Sequence, residues 1–324
     1  LTDVTGVQTC ALPISNGKPL MLNGMPYRGY FEIVPAQNAV HIINIVRVDE
    51  YLSSVVPCEI PSGWEPDALK AQAVAARTYT YYHIIHNRKR GSLYDLDATV
   101  NSQVYRGISD EKPSTTEAVL DTRGEILLYD GMPILSYFHS TCGGKTTDDA
   151  LVWKSNQLPY LNSVKCGYCG ESTKYSWETV LTIDEIARHV SVQNPGMGPI
   201  RTVTFRRKND HVTDVEIKHT RGTITISGNN FRLMFPPEKI LSLYFTSKKS
   251  GSSLVLLGHG WGHGVGLCQW GARGMARSGF NYREILNHYY TRVKIKHTRS
   301  GYLASKIHRS EEHTSDLQSR QSIS

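Results

Sequence analysis

Ala68, Ala71, Ala73, Ala75 and Ala76 crowd into nine positions directly after a segment stiffened by Pro57, Pro61 and Pro66. Small side chains at that density let a neighbouring backbone approach closely, so the stretch reads as a buried helix about which a domain is packed. Pro66 suits a first helical turn and Asp67 suits its positive end. Leu69, Ala73 and Ala76 recur at i, i+4 and i+7, and Val74 and Ala75 widen the stripe. The helix is expected to end near Arg88–Gly91. Pro57 and Pro61 each fix a φ angle and remove a donor, which predicts a stiff loop for the residues between them. Glu59 lies on that loop, and Asp49–Val56 before it reads as a short helix capped by Asp49. Glu59 then has two readings: a solvated acid ahead of a core helix, or a carboxylate held in a tight turn for chemistry.

Two terminal stretches stand apart. Val4–Ile14 resembles the translation of one strand of a common sequencing adapter, and Arg309–Ser319 the translation of its complement, departing at Asp316. Residues 1–15 and 309–324 are therefore expected to be artefact, and residues 16–308 a single catalytic-type domain with a possible β-rich insert at about 172–250. On that reading Cys10 carries no meaning, and the true N-terminus, with any membrane anchor, is missing. The 324 residues carry a formal net charge of +7, which suits an anionic partner such as cell wall. The basic clusters, Arg88–Arg90, Arg206–Lys208, Lys248–Lys249 and Lys294–Arg299, are scattered, and no nucleic-acid motif is present, so a nucleic-acid partner is not expected. No run reaches the length of a membrane-spanning helix.

Along the chain, Tyr27–Val34 and Ala39–Val48 read as strands about a turn near Pro35–Asn38. A polar loop follows the long helix over Ser92–Ser102. Pro113–Asp121 reads as a second helix. Glu125–Asp130 and Met132–His139 flank Asp130-Gly131, a strong hairpin signal. Tyr175–Leu181 leads into a helix at Ile183–Val190. Ile200–Arg207 and Val212–His219 form a hairpin about Asn209-Asp210, followed by a strand at Thr223–Ser227 and a helix at Asn229–Met234. Leu254–Leu257 is a short strand, and Val265–Met275 and Tyr282–Tyr290 are two closing helices. The segregated pattern predicts an α+β fold, mixed and mostly antiparallel, with a central alanine-rich helix and a glycan-binding groove.

Outside the tails the cysteines are Cys58, Cys142, Cys166, Cys169 and Cys268, an odd set for a disulfide framework. His139-x2-Cys142 followed by Cys166-x2-Cys169 matches the paired spacing of a structural zinc site with four ligands. A disulfide among Cys142, Cys166 and Cys169 is the alternative, and His139 can instead face a substrate. Cys58 reads as a small buried thiol and Cys268 as inert helix core. The segment Gly258–Gly266, GHGWGHGVG, lacks the spacing and lysine of a phosphate loop. Its glycines argue against His259 and His263 as a helical metal pair. A groove wall presenting Trp261 and His263, extended by Gln269 and Trp270, competes with a purely structural tight loop.

The stretches VVPCEIPSGWEPDALKAQAVAARTY, SQVYRG, SYFHSTCGGKT, GHGWGHGVGLCQWGARGMA and ILNHYYTRVKI, in that order, resemble the sporulation protein D / amidase-enhancer family. The resemblance implies a peptidoglycan lytic transglycosylase, a lyase active in septal wall degradation and engulfment during sporulation. It implies Glu59 as the catalytic acid, with Arg77, Gln103, Tyr105, Ser140, His263, Gln269 and Trp270 binding glycan strands stripped of their peptides. It also implies a cell-wall amidase as partner, a membrane anchor in the missing N-terminal part, and an extracytoplasmic place at the sporulation septum. Cys142 with Cys166 and Cys169 looks like the zinc-bearing members. Cys58 and Cys268 stand where small or hydroxyl residues are frequent. A non-catalytic enhancer that binds wall or amidase is the second reading. Such an acid must hold its proton near neutral pH, so Glu59 is expected to be partly buried among Pro57, Ile60, Pro61 and Trp64.

Overall fold

A computed structural model describes residues 10–12, 19–36, 39–99, 102–298 and 318–323. The fold is α+β, with mostly antiparallel strand pairs. The chain divides into two compact units, Leu1–Ser136 with Val293–Ser324, and Tyr137–Arg292. The β-rich stretch 172–250 falls inside the second. Gln37 and Asn38, in the expected turn, lie outside the described residues, as do most of the two adapter-like tails. Within those tails Cys10–Leu12 pairs with Tyr30–Pro35, and Gln318–Ile323 with Val40–Arg47, both antiparallel.

The first unit is built on three helices: α1 (Val48–Glu59), α2 (Pro66–Lys89) and α3 (Pro113–Asp121). Helix α2 packs against α1, α3 and the strand Glu125–Tyr129. From Ala68 to Tyr81 only Lys70 escapes full burial, so the helix is enclosed all round and not merely along a stripe. Its buried threonines are satisfied internally. Thr78 donates to the Val74 carbonyl at 2.7 Å and accepts the Leu127 N–H at 3.0 Å, tying the helix to the strand. Tyr51, Leu52, Val55, Leu69, Ala73, Ala76, Val119 and Ile126 form one core. The Asp130-Gly131 turn is present, both residues having positive φ, between Glu125–Tyr129 and the short strand Met132–Pro133.

Helix α1 departs from expectation at both ends. It begins at Val48, with Arg47 flanking it and Asp49 inside the first turn, so Asp49 favours the helix dipole and does not cap it. It also continues through Pro57 to Glu59. A proline in the last turn forfeits one hydrogen bond, yet the turn closes, because the Ile60 N–H still reaches the Val56 carbonyl at 3.1 Å. Ile60, held extended by Pro61, ends the helix. Glu59 is thus the final residue of a helix and not part of a loop.

The second unit contains two three-stranded antiparallel sheets. In one, Ser253–His259 is central between Ser176–Thr182 and Phe245–Ser250; in the other, His211–His219 is central between Ile200–Lys208 and Gly222–Ser227. Helices α4 (Asp149–Trp153), α5 (Ile183–Gln193) and α6 (Gly228–Leu233) precede α7 (Gln269–Arg277) and α8 (Tyr282–Tyr289). Leu181, Ile186, Val190, Val215, Ile217, Phe231 and Leu256 centre the core. Phe245–Ser250 escaped the sequence reading because Lys248 and Lys249 break its alternation, and α4 because five residues show no period. Val265–Cys268 is not helical. Leu267–Cys268 pairs in parallel with Phe138–His139, and Cys268 caps α7.

Arg77 holds the first unit together at one point. Its guanidinium is buried and donates to Asp49 at 3.2 Å and to the carbonyls of Thr122 at 2.9 Å and Val119 at 2.8 Å. It joins α1, α2 and the end of α3. Arg77→Ala removes buried donors from the Val119 and Thr122 carbonyls and one partner from Asp49, which keeps Arg123, so unfolding should cost about 2–5 kcal/mol less, read from the denaturant midpoint. Arg77→Lys, which cannot reproduce the fork, should recover little of it.

Candidate functional site

Glu59 is partly buried, and its Oε1 accepts the Val104 N–H at 3.4 Å. Burial raises its pKa above the ordinary carboxylate value, and the Val104 N–H opposes this more weakly. The segment that supplies Val104 is anchored on either side. Gln103 accepts hydrogen bonds from Tyr51 at 3.2 Å and Thr80 at 3.0 Å, and Tyr105 donates to Asn44 at 2.8 Å. Both side chains are buried, so they point inward while the amide between them faces Glu59. Gln103 and Tyr105 therefore support the acid's surroundings, Arg77 ties Asp49 to Val119 and Thr122, and the polar groups of all three are engaged by the protein itself. Cys58, beside Glu59, is half-buried and donates to Asp110 at 3.4 Å; burial, aided by Asp110, pushes its pKa up to about 12. It is a neutral thiol, unsuited to attack.

In the second unit the glycine-rich segment lies along Tyr137–Cys142. Thr141 and Trp261 exchange backbone hydrogen bonds of 3.1 and 2.7 Å, and the Leu267 N–H reaches the Tyr137 carbonyl at 3.0 Å. A Cβ on Gly260 would stand 2.6 Å from the Thr141 oxygen, and one on Gly266 2.1 Å from the Tyr137 oxygen. Both have positive φ. These glycines answer to contact with the protein's own backbone.

His263 and His139 sit on this seam. His263 accepts the Val265 N–H at Nδ1, 3.0 Å, and its Nε2 donates to the Phe138 carbonyl at 3.0 Å. Both ring nitrogens are engaged, which fixes a neutral tautomer, and burial holds its pKa well below the ordinary value. His139, 4% exposed, directs Nδ1 to the Val265 carbonyl at 3.1 Å, and its buried Nε2 has no protein partner. Ser140 accepts the Trp270 N–H on its carbonyl at 3.0 Å. Gln269 is buried, and the Trp270 ring lies 5.1 Å from the Arg273 guanidinium carbon.

The thiols of Cys142, Cys166, Cys169 and Cys268 converge, all four buried and their sulfurs within 4.8 Å of one another. The fourth member is Cys268, where spacing pointed to a nitrogen of His139. The Cys268 thiol is no inert core group. It accepts the backbone N–H groups of Cys142 and Gly271, each at 3.3 Å. The Tyr289 hydroxyl lies 3.1 Å from the Cys166 sulfur. No disulfide joins the four. A tetrahedral ion with bonds of about 2.3 Å to sulfur would separate the ligands by about 3.8 Å, and Cys142 and Cys169 are already 3.6 Å apart. The set fits a thiophilic ion and leaves no position open for a substrate. Cys268 was not legible as a ligand because it has no nearby cysteine and is brought in only by the pairing of Leu267–Cys268 with Phe138–His139.

A family profile described as Stage II sporulation protein matches residues 36–129, the segment that contains Glu59, and one described as a domain of unknown function matches residues 165–266. The chain is 37% identical over 277 residues to an uncharacterized protein of Brachyspira hyodysenteriae, covering 85% of this chain and 73% of that protein. It is 32% identical over 286 residues to stage II sporulation protein D of Bacillus amyloliquefaciens, covering 82% and 80%. It is 30% identical over 286 residues to the amidase enhancer of Bacillus subtilis, covering 74% of this chain and 39% of that one.

The burial of Glu59 has a stability signature. As pH rises past 4.5, the unfolded chain releases its proton before the folded one does, so the folded state binds more protons and loses stability with pH until Glu59 itself ionises. Glu59→Gln lacks that loss. Its stability relative to wild type should therefore climb with pH above the ordinary carboxylate range and then level off, as measured by urea midpoints at a series of pH values. A difference that does not change with pH would rule out a buried acid.

Proposed function

Because the chain belongs to the stage II sporulation protein D family, we propose that it is a lytic transglycosylase that cleaves the MurNAc–GlcNAc bonds of peptide-stripped peptidoglycan strands. The single observation that carries this is Glu59, a carboxyl group whose proton affinity is raised by burial, within the matched segment. A general acid at neutral pH needs that property. Protonated Glu59 gives its proton to the glycosidic oxygen as the bond to C1 breaks. The resulting carboxylate then takes the proton of the C6 hydroxyl, whose oxygen closes on C1. The products are a free 4-hydroxyl and a 1,6-anhydro-MurNAc end. The nucleophile belongs to the substrate and no water is consumed, so one protein carboxyl group suffices where hydrolases of such bonds use two.

Arg77, Gln103 and Tyr105 serve this reading as positioning residues of the unit that carries Glu59. Ser140, Gln269 and Trp270 remain the proposed glycan contacts of the second unit, while both ring nitrogens of His263 are engaged by backbone. Zinc is the proposed metal of Cys142, Cys166, Cys169 and Cys268; bound there it would crosslink the unit and take no part in bond cleavage. The workplace on this reading is extracytoplasmic, at the septum during sporulation. An N-terminal anchor and a cell-wall amidase acting on the same strands complete it. Among the described residues no helix is long and apolar enough to cross a membrane. The likeness to an amidase enhancer favours a second reading, in which the protein holds wall or amidase without cutting.

Purified protein incubated with peptide-free glycan strands should release anhydro-ended fragments, detected by mass spectrometry. Glu59→Gln should lower the rate by at least about a hundredfold. Turnover by that variant at the wild-type rate would refute the acid, and binding without any anhydro product from wild type would select the enhancer reading. For the metal, elemental analysis should find zinc lost from Cys268→Ser and kept by His139→Ala, and chelation should lower the melting temperature.

A further inference from the structure

Trp153 was not singled out by any sequence pattern, yet it is one of the large apolar side chains left open among the described residues, 36% exposed at the end of α4. It is not a loose surface indole. Tyr137 backs it with ring centroids 4.5 Å apart and planes 31° from parallel, and His263 lies against it at 5.3 Å. His263 is itself pinned at both nitrogens to the backbone of Phe138 and Val265. The chain on either side is fixed as well. Asp149, buried at the start of α4, accepts the Leu158 N–H at 3.2 Å. Lys154, directly after the indole, takes a left-handed conformation and pairs with Asp214 at 2.9 Å. Val152, the preceding residue, is buried and anchors the helix from below.

An open aromatic surface held this firmly loses little conformational freedom when something stacks on it, which is what makes indoles effective anchors. The chemistry beside it is selective. Neither Tyr137 nor the neutral His263 carries charge, Asp214 is paired with Lys154, and the Arg232 guanidinium that acts on His263 is held by Asn229. The surface therefore favours a ligand with a flat apolar face over a cation. The C–H face of a β-1,4-linked pyranose has that character. Close by, the buried Nε2 of His139 is an acceptor that no protein donor fills, its ring 5.4 Å from that of His263.

We infer that Trp153, backed by Tyr137 and His263, is a stacking platform for one sugar ring of a glycan strand. This rests on the proposed function and assigns a binding residue to it. His263 then acts as a brace of the platform, not as a donor to the sugar.

The test uses the full chain carrying Glu59→Gln, so that strands are bound without being cut. The probes are peptide-free glycan strands and a soluble β-1,4 N-acetylglucosamine oligomer, with free stem peptide as control. The Trp153 indole N–H resonance, identified by its absence from Trp153→Phe, should shift as either glycan is added and stay still with peptide. Trp153→Leu should weaken glycan binding by about tenfold, while Trp153→Phe, which keeps a ring, should stay within about threefold. An unshifted indole signal during saturable glycan binding, or full affinity in Trp153→Leu, overturns the platform and leaves the proposed function standing. A shift with stem peptide in place of glycan also overturns it. Absence of any glycan binding by the parent protein counts against the proposed function itself. If Trp153→Leu does not fold, the indole resonance of the unsubstituted position decides alone.

Discussion

The enclosure of α2 is the constraint on which the first unit depends. A helix buried on every side must have neighbours on every side, and alanine is what lets them come close without voids. From that one requirement follow the approach of α1, the seat of α3 and the pairing of Thr78 with the strand Glu125–Tyr129. It also fixes where Glu59 can be. The acid ends α1, and α1 is held by Leu69, Ala73 and Ala76 of the buried helix through Tyr51, Leu52 and Val55.

Much of this was readable from residue order because the controlling signals are local. Proline at the head of α2, alanine spacing within it, and the Asp-Gly and Asn-Asp turns each act through a few neighbouring residues. They gave the helix, both hairpins and the α+β class. The failures have a common cause in contacts that span long sequence distances. Pro57 argued for a loop at Glu59, but packing of Tyr51, Val55 and Val56 carries α1 two residues past it. Val265 and Leu267 looked helical by period, but the segment is drawn out to lie along Tyr137–His139. Lys248 and Lys249 hid a strand because an edge strand tolerates charge on its open face.

The candidate metal centre shows the same limit more sharply. One of its pairs, Cys166 and Cys169, can be written as a spacing pattern, and the other pattern, His139-x2-Cys142, joins Cys142 to a residue outside the cluster. His139 sits three residues away, the right interval for a ligand pair, yet its ring turns towards the Val265 carbonyl. Cys268, remote in sequence, arrives by strand pairing and meets the backbone amide of Cys142. Interval alone states which residues can meet; only the course of the backbone states which do.

That remoteness bears on the order of assembly. Three of the thiols lie early in the second unit, and the last follows the whole run of sheets from Ser176 to His259. A chain emerging from its N-terminus cannot complete the cage until that whole run has been made and the final segment delivered. An ion held by all four sulfurs would thus be a late latch, closed only after most of the unit has emerged.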